Sequence, residues 1–506
     1  LTGRYHHAVN LAALETWLLA LDRSRYHLAV LLWIALSAAT VMVYKDHPLS
    51  MDEYSALFQA KVFAAGALHG TFPPELLDHL IPREFQNHFL MVNRSSGAVF
   101  SAYWPGFSIL LTPFVWLGIP WACNPLIVTL SLLLIVRLTR DLTGSSVAAG
   151  WALLLSLASS AFLINGITYY SMPAHLLFNL AFAWLLLVPS PRRLIAAGMV
   201  GGYAAVLHNP FPHFVFCLPW LLWLLCRKER RWRNLLFLGL GYSVVILPLG
   251  LGWRLWLLET IRVGVPAIPV QELATSAMPT SFFDNAVHVF RAYTGFLSWP
   301  DELLIYKRLG GVTKLWLWAS PLLLLLAWVG GRNEKQMGLR LLGLSALVTF
   351  FAFFFVRFDQ GHGWGYRYFH SAWGVLPIFA ALGAMKLVER EGTVVRAQLL
   401  VLTLFSLTAL NALRLVQVND FMIQHLAQFP PRLEGGKRIV LHNGRGYYAY
   451  DLIQNDPWLR GNEIVLLYGD EAERKKLLER FGDGLILQEN RYGMAFLVDN
   501  FEAPKP

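Results

Sequence analysis

"HPLSMDEYSALFQAKVFAAG", His47 to Gly66, follows the first long apolar run of the chain and sets two adjacent carboxylates, Asp52 and Glu53, a few residues beyond its end. Downstream, Tyr54, Leu57, Phe58, Val62, Ala65 and Leu68 recur at helical spacing, with Gln59 and Lys61 off that face. The pattern predicts a helix lying on a membrane surface. Asp52 and Glu53 then stand at its N-terminus, where the helix dipole favours negative charge. Ser50, Asp52 and Glu53 are also residues of the kind that cap helices, and capping alone would account for them. A second role is compatible with the first. General-base catalysis needs a carboxylate within hydrogen-bond reach of the proton it removes, and a capped helix holds such a group rigidly at the depth of a lipid headgroup.

Composition supports the membrane setting. The 506 residues are 56% hydrophobic and 15% charged, with mean hydropathy +0.46; soluble domains carry about a quarter charged residues. Nineteen Trp suit the interfacial anchors of many helix ends. The net charge of +10 belongs in cytoplasmic loops by the positive-inside rule, so no nucleic-acid partner is inferred. Three cysteines, Cys123, Cys217 and Cys226, form no disulfide framework and no zinc spacing. The first apolar run, preceded by about 25 residues and without a small-residue cleavage site, reads as a retained span.

Eleven apolar runs are read as spans, near 28–44, 124–140, 147–165, 173–189, 193–208, 211–226, 234–252, 314–330, 339–357, 371–388 and 397–415. Basic clusters recur at every second loop: Arg23/Arg25, Arg137/Arg140, Arg192/Arg193, Arg227 to Arg233, Gly330 to Arg340 and Arg390 to Arg396. They place the N-terminus in the cytoplasm and the other loops outside. Residues 105–121 are apolar but broken by Pro105, Pro113, Pro120, Gly106 and Gly118, and read as a re-entrant or interfacial segment. The expected architecture is an all-α polytopic membrane domain of about 11–13 transmembrane helices over 1–415, with a first outer loop at 45–104. A small α/β domain outside the membrane follows over 416–506. There "RIVLHN", "EIVLLYGD", "GLILQE" and "MAFLVD" read as strands and "EAERKKLLERF" as a helix.

A second concentration of chemistry is "FDQGHGWGYRYFH", 358–370, with Asp359, His362, Tyr366, Arg367 and His370 among three glycines. Arginine binds phosphate bidentately, and glycines let backbone approach a ligand. The bland alternative is an aromatic interface belt with Arg367 on lipid headgroups. "YYSMPAH" sets Tyr169, Tyr170 and His175 in an outer loop, and "HNPFPH" sets His208 and His213 in the next. Each can line a polar cavity or hold a turn. Lys45 can bind phosphate or snorkel to the interface. His47, His69, His79 and His88 have no metal-ligand spacing, so no metal and no cofactor is assigned.

The first span, the 47–66 stretch, "YWPGFSILLTPFVWLGIPWACNPL", "YYSMPAH" and "GWGYRYFH" together resemble the C-type glycosyltransferase superfamily. Within it they are most similar to bacterial relatives of protein O-mannosyltransferases and of lipid A aminoarabinose transferases. The tail's "QNDPWLRG", 454–461, is similar to tails of bacterial members. The resemblance implies an inverting membrane enzyme that takes its sugar from a polyprenyl-phosphate donor. It acts on a lipid, glycan or protein acceptor at the outer, periplasmic face of a bacterial inner membrane. It implies Asp52 as the general base, Glu53 as a shaper of the same pocket, and Arg367, Lys45 and His175 as donor-phosphate residues. His362, Tyr366, Tyr170 and His208 would line the pocket. One carboxylate suffices, because a phosphodiester leaves without help from a second acid. No nucleotide-binding glycine motif opens a helix. The rivals are an oligosaccharide transferase or polysaccharide ligase using a lipid diphosphate, and a transporter or flippase without chemistry. Transporters show repeated halves and broken central helices with buried charge, whereas the ionisable residues here collect in outer loops.

Overall fold

The computed structural model describes residues 2–227, 230–262, 295–361, 363–391, 393–430, 436–481 and 486–498. Five helices among them are long and apolar enough to cross a bilayer: Arg25–Met42, Pro120–Thr143, Arg231–Thr260, Met337–Phe355 and Ala397–Leu426. The count is six if one bent pair is taken as a single span. The chain is a multi-pass membrane protein.

Several runs expected to be single spans are shorter or broken. The run at 147–165 divides into helices Ser146–Leu157 and Ser160–Asn165. Breaking a helix in an apolar medium strands carbonyls, and these find partners. Asn411 donates to the Leu157 carbonyl at 2.9 Å, and Ser406 donates to that of Ala158 at 2.6 Å. Both donors come from a π-helical turn, Ser406–Leu410, and the residue after it. Residues 314–330, expected as one span, instead carry a 97° bend between Glu302–Trp318 and Leu323–Gly331. Pro321 sits at the bend and disfavours helix in the residue before it. Residues 105–121 form the eleven-residue helix Gly106–Trp116, about 16 Å at 1.5 Å per residue, half the thickness of a bilayer core. The N-terminal helix Thr2–Arg23 had no counterpart in the expected spans.

The chain divides into two compact units. One holds Leu1–Val41, Trp121–Pro248 and the described part of Pro279–Val416. It is helical, and one close crossing pairs Pro191–Ala205 with Arg231–Val245. A Cβ at Gly198 would collide with the Leu238 carbonyl, and one at Gly241 with that of Ile195. Small residues bring membrane helices this close because packing drives their association, not water exclusion.

The other unit holds Met42–Pro120 and the described parts of Leu249–Met278 and Gln417–Pro506. Its first loop contains the helix Met51–Ala64 and three short strands, β1 (Gly70–Thr71), β2 (Leu90–Val92) and β3 (Ala98–Ser101), in the antiparallel order β1-β3-β2. The sequence reading had no strands there. The tail forms β4 (Lys437–His442), β5 (Glu463–Leu467), helix Glu471–Phe481, β6 (Ile486–Asn490) and β7 (Gly493–Val498). The sheet order is β5-β4-β7-β6, with β4 and β5 parallel and the other pairs antiparallel.

Alternation along these strands sorts their side chains. Ile439, Leu441, Ile464, Leu466, Met494 and Phe496 share one core with Met51, Tyr54, Phe58 and Val62 of the first loop. Val440, Val465 and Ala495 point to the opposite face. The helix Met51–Ala64 is therefore wrapped, not laid on a surface. Even Gln59, expected off the apolar face, is fully buried. Its amide donates to the Leu68 carbonyl at 2.9 Å and accepts from the Ser101 N–H at 2.9 Å.

Candidate active site

In the second unit, two successive left-handed residues, Lys45 (φ 62°) and Asp46 (φ 49°), turn the chain beyond Arg25–Met42. The Lys45 ammonium donates to the Met42 carbonyl at 2.6 Å, supplying a donor to the end of that helix. Ser50 and Glu53 form a capping box at the start of Met51–Ala64. The Glu53 carboxylate accepts from the Leu49 N–H at 2.6 Å, the Ser50 N–H at 3.2 Å and the Tyr44 hydroxyl at 3.0 and 3.1 Å. Glu53 has no exposed surface. The Met51 N–H, a further orphan donor of the first turn, goes to Asp451 Oδ1 at 2.9 Å.

Asp52 is placed differently. It is half-buried, and its Oδ1 accepts the Tyr103 hydroxyl. The adjacent acids thus separate: Glu53 is enclosed by donors that build the helix start, while Asp52 keeps an exposed edge beside a phenol.

The tail holds this helix in place. Tyr54 donates its hydroxyl to the Asn455 carbonyl at 2.5 Å and accepts from the Asn455 N–H at 2.8 Å. The Asn455 side chain donates to the Leu80 and Val465 carbonyls at 3.2 and 2.9 Å and accepts from the Val465 N–H at 2.8 Å. Gln454 donates to the Pro48 carbonyl at 2.8 Å, and the Thr71 N–H donates to that of Pro457 at 2.8 Å. The "QNDPWLRG" stretch is this latch. Tyr44, Tyr103 and Asp451 escaped the sequence reading, because nothing in local periodicity marks a phenol or an acid as a partner to a residue 9, 51 or 400 positions away.

In the first unit, Arg367 is 8% exposed. Its guanidinium donates to the Gln360 carbonyl at 2.7 Å and lies 3.9 Å from the centroid of the Tyr170 ring. Its own N–H donates to Gln360 Oε1 at 3.2 Å. Gly363 (φ 141°) has its α-carbon against the Arg367 stem, where a Cβ would collide. Here glycine serves the folding of the loop around its own arginine. His362 lies outside the described residues. Asp359 pairs with the buried Arg308 at 4.0 Å.

Tyr170 is held by its backbone, the Asn124 amide donating to its carbonyl at 2.8 Å. His175 and Asn179, one turn apart on Met172–Leu186, are both buried. Asn179 donates to the Ser371 carbonyl at 3.1 Å. Both ring nitrogens of His175 make no hydrogen bond, and neither does the hydroxyl of Tyr366. His208 is half-buried. His213 is fully bonded, to Asn179 at 2.8 Å and to the Tyr242 hydroxyl at 2.6 Å. Asp52, Glu53 and Lys45 thus belong to one unit, and Arg367, His175, Tyr366, Tyr170 and His208 to the other. Among the described residues no group of three or more His, Cys, Asp or Glu is arranged to hold a metal ion.

No family model matches the chain, and no curated protein matches it. Among solved structures it is similar to ArnT from Cupriavidus metallidurans bound to undecaprenyl phosphate, with a TM-score of 0.54 and 14% identity over 92% of this chain and 97% of that one. The apo state of the same protein aligns with a TM-score of 0.43 and 16% identity, over 72% and 60% of the two chains. At such identity the first likeness is one of architecture: over nearly its whole length, this chain takes the fold of ArnT.

Proposed function

We propose that the chain transfers a sugar, with inversion, from a polyprenyl-phosphate donor to a hydroxyl of a lipid, glycan or protein acceptor on the outer face of the membrane. The carrying observation is the division of labour between the two acids. Glu53 is consumed by helix capping, whereas Asp52 is rigidly held, partly exposed and hydrogen-bonded to a phenol. A base needs that combination: fixed geometry together with access. Support for the donor class comes from the fold shared with a protein whose crystal structure holds undecaprenyl phosphate.

In the reaction, the acceptor oxygen bonds to the anomeric carbon as the carbon–oxygen bond to phosphate breaks. The acceptor proton passes to Asp52, and the polyprenyl phosphate leaves with the bonding electron pair. Glu53 acts as a positioning residue through the helix start. Arg367 is proposed for the donor phosphate because its guanidinium is buried, charged and preorganised by Gln360 and Tyr170. Lys45 and His175 are proposed to assist it, and Tyr366, Tyr170 and His208 to line the donor's surroundings.

The test is transfer by the purified protein in detergent from a synthetic prenyl-phosphate sugar. Asp52→Asn should lower turnover at least a hundredfold with an unchanged melting temperature. Turnover like the wild type in that variant removes Asp52 as the base.

A further inference from the structure

We propose that the tail carries a saccharide-binding pocket of its own. A cavity of about 380 Å³ lies within the second unit, lined by Phe421, His425, Gln428, Tyr447, Arg491 and Tyr492. That volume falls in the range of about 300–1,000 Å³ typical of small-ligand sites.

Its walls are aromatic. Phe421 and His425, four positions apart on Asn411–Leu426, stack with ring centroids 6.3 Å apart and planes 16° from parallel. Tyr492, in the turn between β6 and β7, stacks on His442 at 6.4 Å and 12°. Tyr447 stands 67% exposed at the rim.

The polar groups are few. The Gln428 amide nitrogen donates to the Tyr447 carbonyl at 3.1 Å, which orients the amide. Its Oε1 accepts no hydrogen bond, although the residue is only 7% exposed. Gly446 (φ 130°) passes so close over that oxygen that a Cβ would strike it. Beneath, His442 is fully buried and locked in one tautomer. Its Nδ1 accepts from the Gly444 N–H at 2.9 Å, so Nε2–H donates to the Gln428 carbonyl at 3.0 Å. Arg491 lies 4.7 Å over the Tyr492 ring and is the one cation among the described lining residues.

Each feature narrows the ligand. Flat aromatic walls favour the C–H faces of a sugar ring. A single arginine suits one anionic substituent, not a chain of phosphates. The structure therefore points to a sugar carrying one negative group. The His425 ring is 6.5 Å from that of His47, five positions before Asp52. That the bound sugar belongs to the acceptor rests on the transferase reading above.

Saturation-transfer NMR on the full chain in lipid nanodiscs, with glucosamine 6-phosphate and glucosamine as probes, tests the proposal. Saturation should reach the ring protons of both probes, more strongly for the phosphate, and should fall at least fivefold in Tyr447→Ala/Tyr492→Ala. Arg491→Ala should abolish the preference for the phosphate. Asp52→Asn should bind as the wild type does, which separates failure of this pocket from failure of the transferase reading. Equal signals in the wild type and the double variant, or no signal for either probe, overturn the pocket. A preference that survives Arg491→Ala overturns the role of the charge.

Discussion

Two neighbouring carboxylates of equal formal charge have unequal fates because of what surrounds them. Glu53 accepts two backbone N–H groups and a phenol with no exposed surface. Glu53→Gln places an amide N–H₂ where only acceptors are wanted, leaving a buried donor unmatched at a cost of about 1–3 kcal/mol. The melting temperature should fall measurably in Glu53→Gln and stay unchanged in Asp52→Asn, while transfer is lost in Asp52→Asn. Arg367→Ala removes the guanidinium stacked on Tyr170, and under the proposed function the KM for the prenyl-phosphate donor should rise at least tenfold. Donor affinity unaltered in steady-state kinetics counts against its phosphate role.

At the scale of elements, the β4 strand joins stability to pH. Burial holds the His442 imidazole below its usual value, outweighing the hydrogen bond to Gln428 that favours the proton. The folded tail therefore keeps His442 neutral where the unfolded chain takes a proton. Its contribution is complete above about pH 6.5 and is lost progressively as the pH falls below that, by at most about 1.4 kcal/mol per pH unit. The opening free energy of the β4 and β7 amides, taken from hydrogen exchange after division by the intrinsic rate at each pH, should fall between pH 6.5 and 5, and His442→Gln should flatten that dependence. Elements also explain why apolar runs were a poor guide to where helices are continuous. Pro321 and the Ser/Asn contacts around Ala158 break helices that hydropathy reads as continuous.

At the scale of the molecule, the tail and the first loop cannot be separated cheaply. Tyr54 and Phe58 share a core with Ile439 and Phe496, and Asn455 ties both to Val465. Deleting 420–506 strips that core and exposes a large apolar face. The truncated chain should aggregate on size-exclusion chromatography in detergent; a monodisperse, active truncation would refute the shared core.

The membrane class, the capped helix behind His47, the acid pair and the strand and helix segments of the tail were all legible in the sequence, because hydropathy, capping chemistry and periodicity are local. The tertiary structure alone decided which acid is enclosed, that Tyr103 and Asp451 serve the same helix start, that Gly363 closes on the Arg367 stem, and that "QNDPWLRG" latches onto Tyr54. The longest of these contacts join residues 401 positions apart, and pairings at that separation leave no periodic trace in the chain.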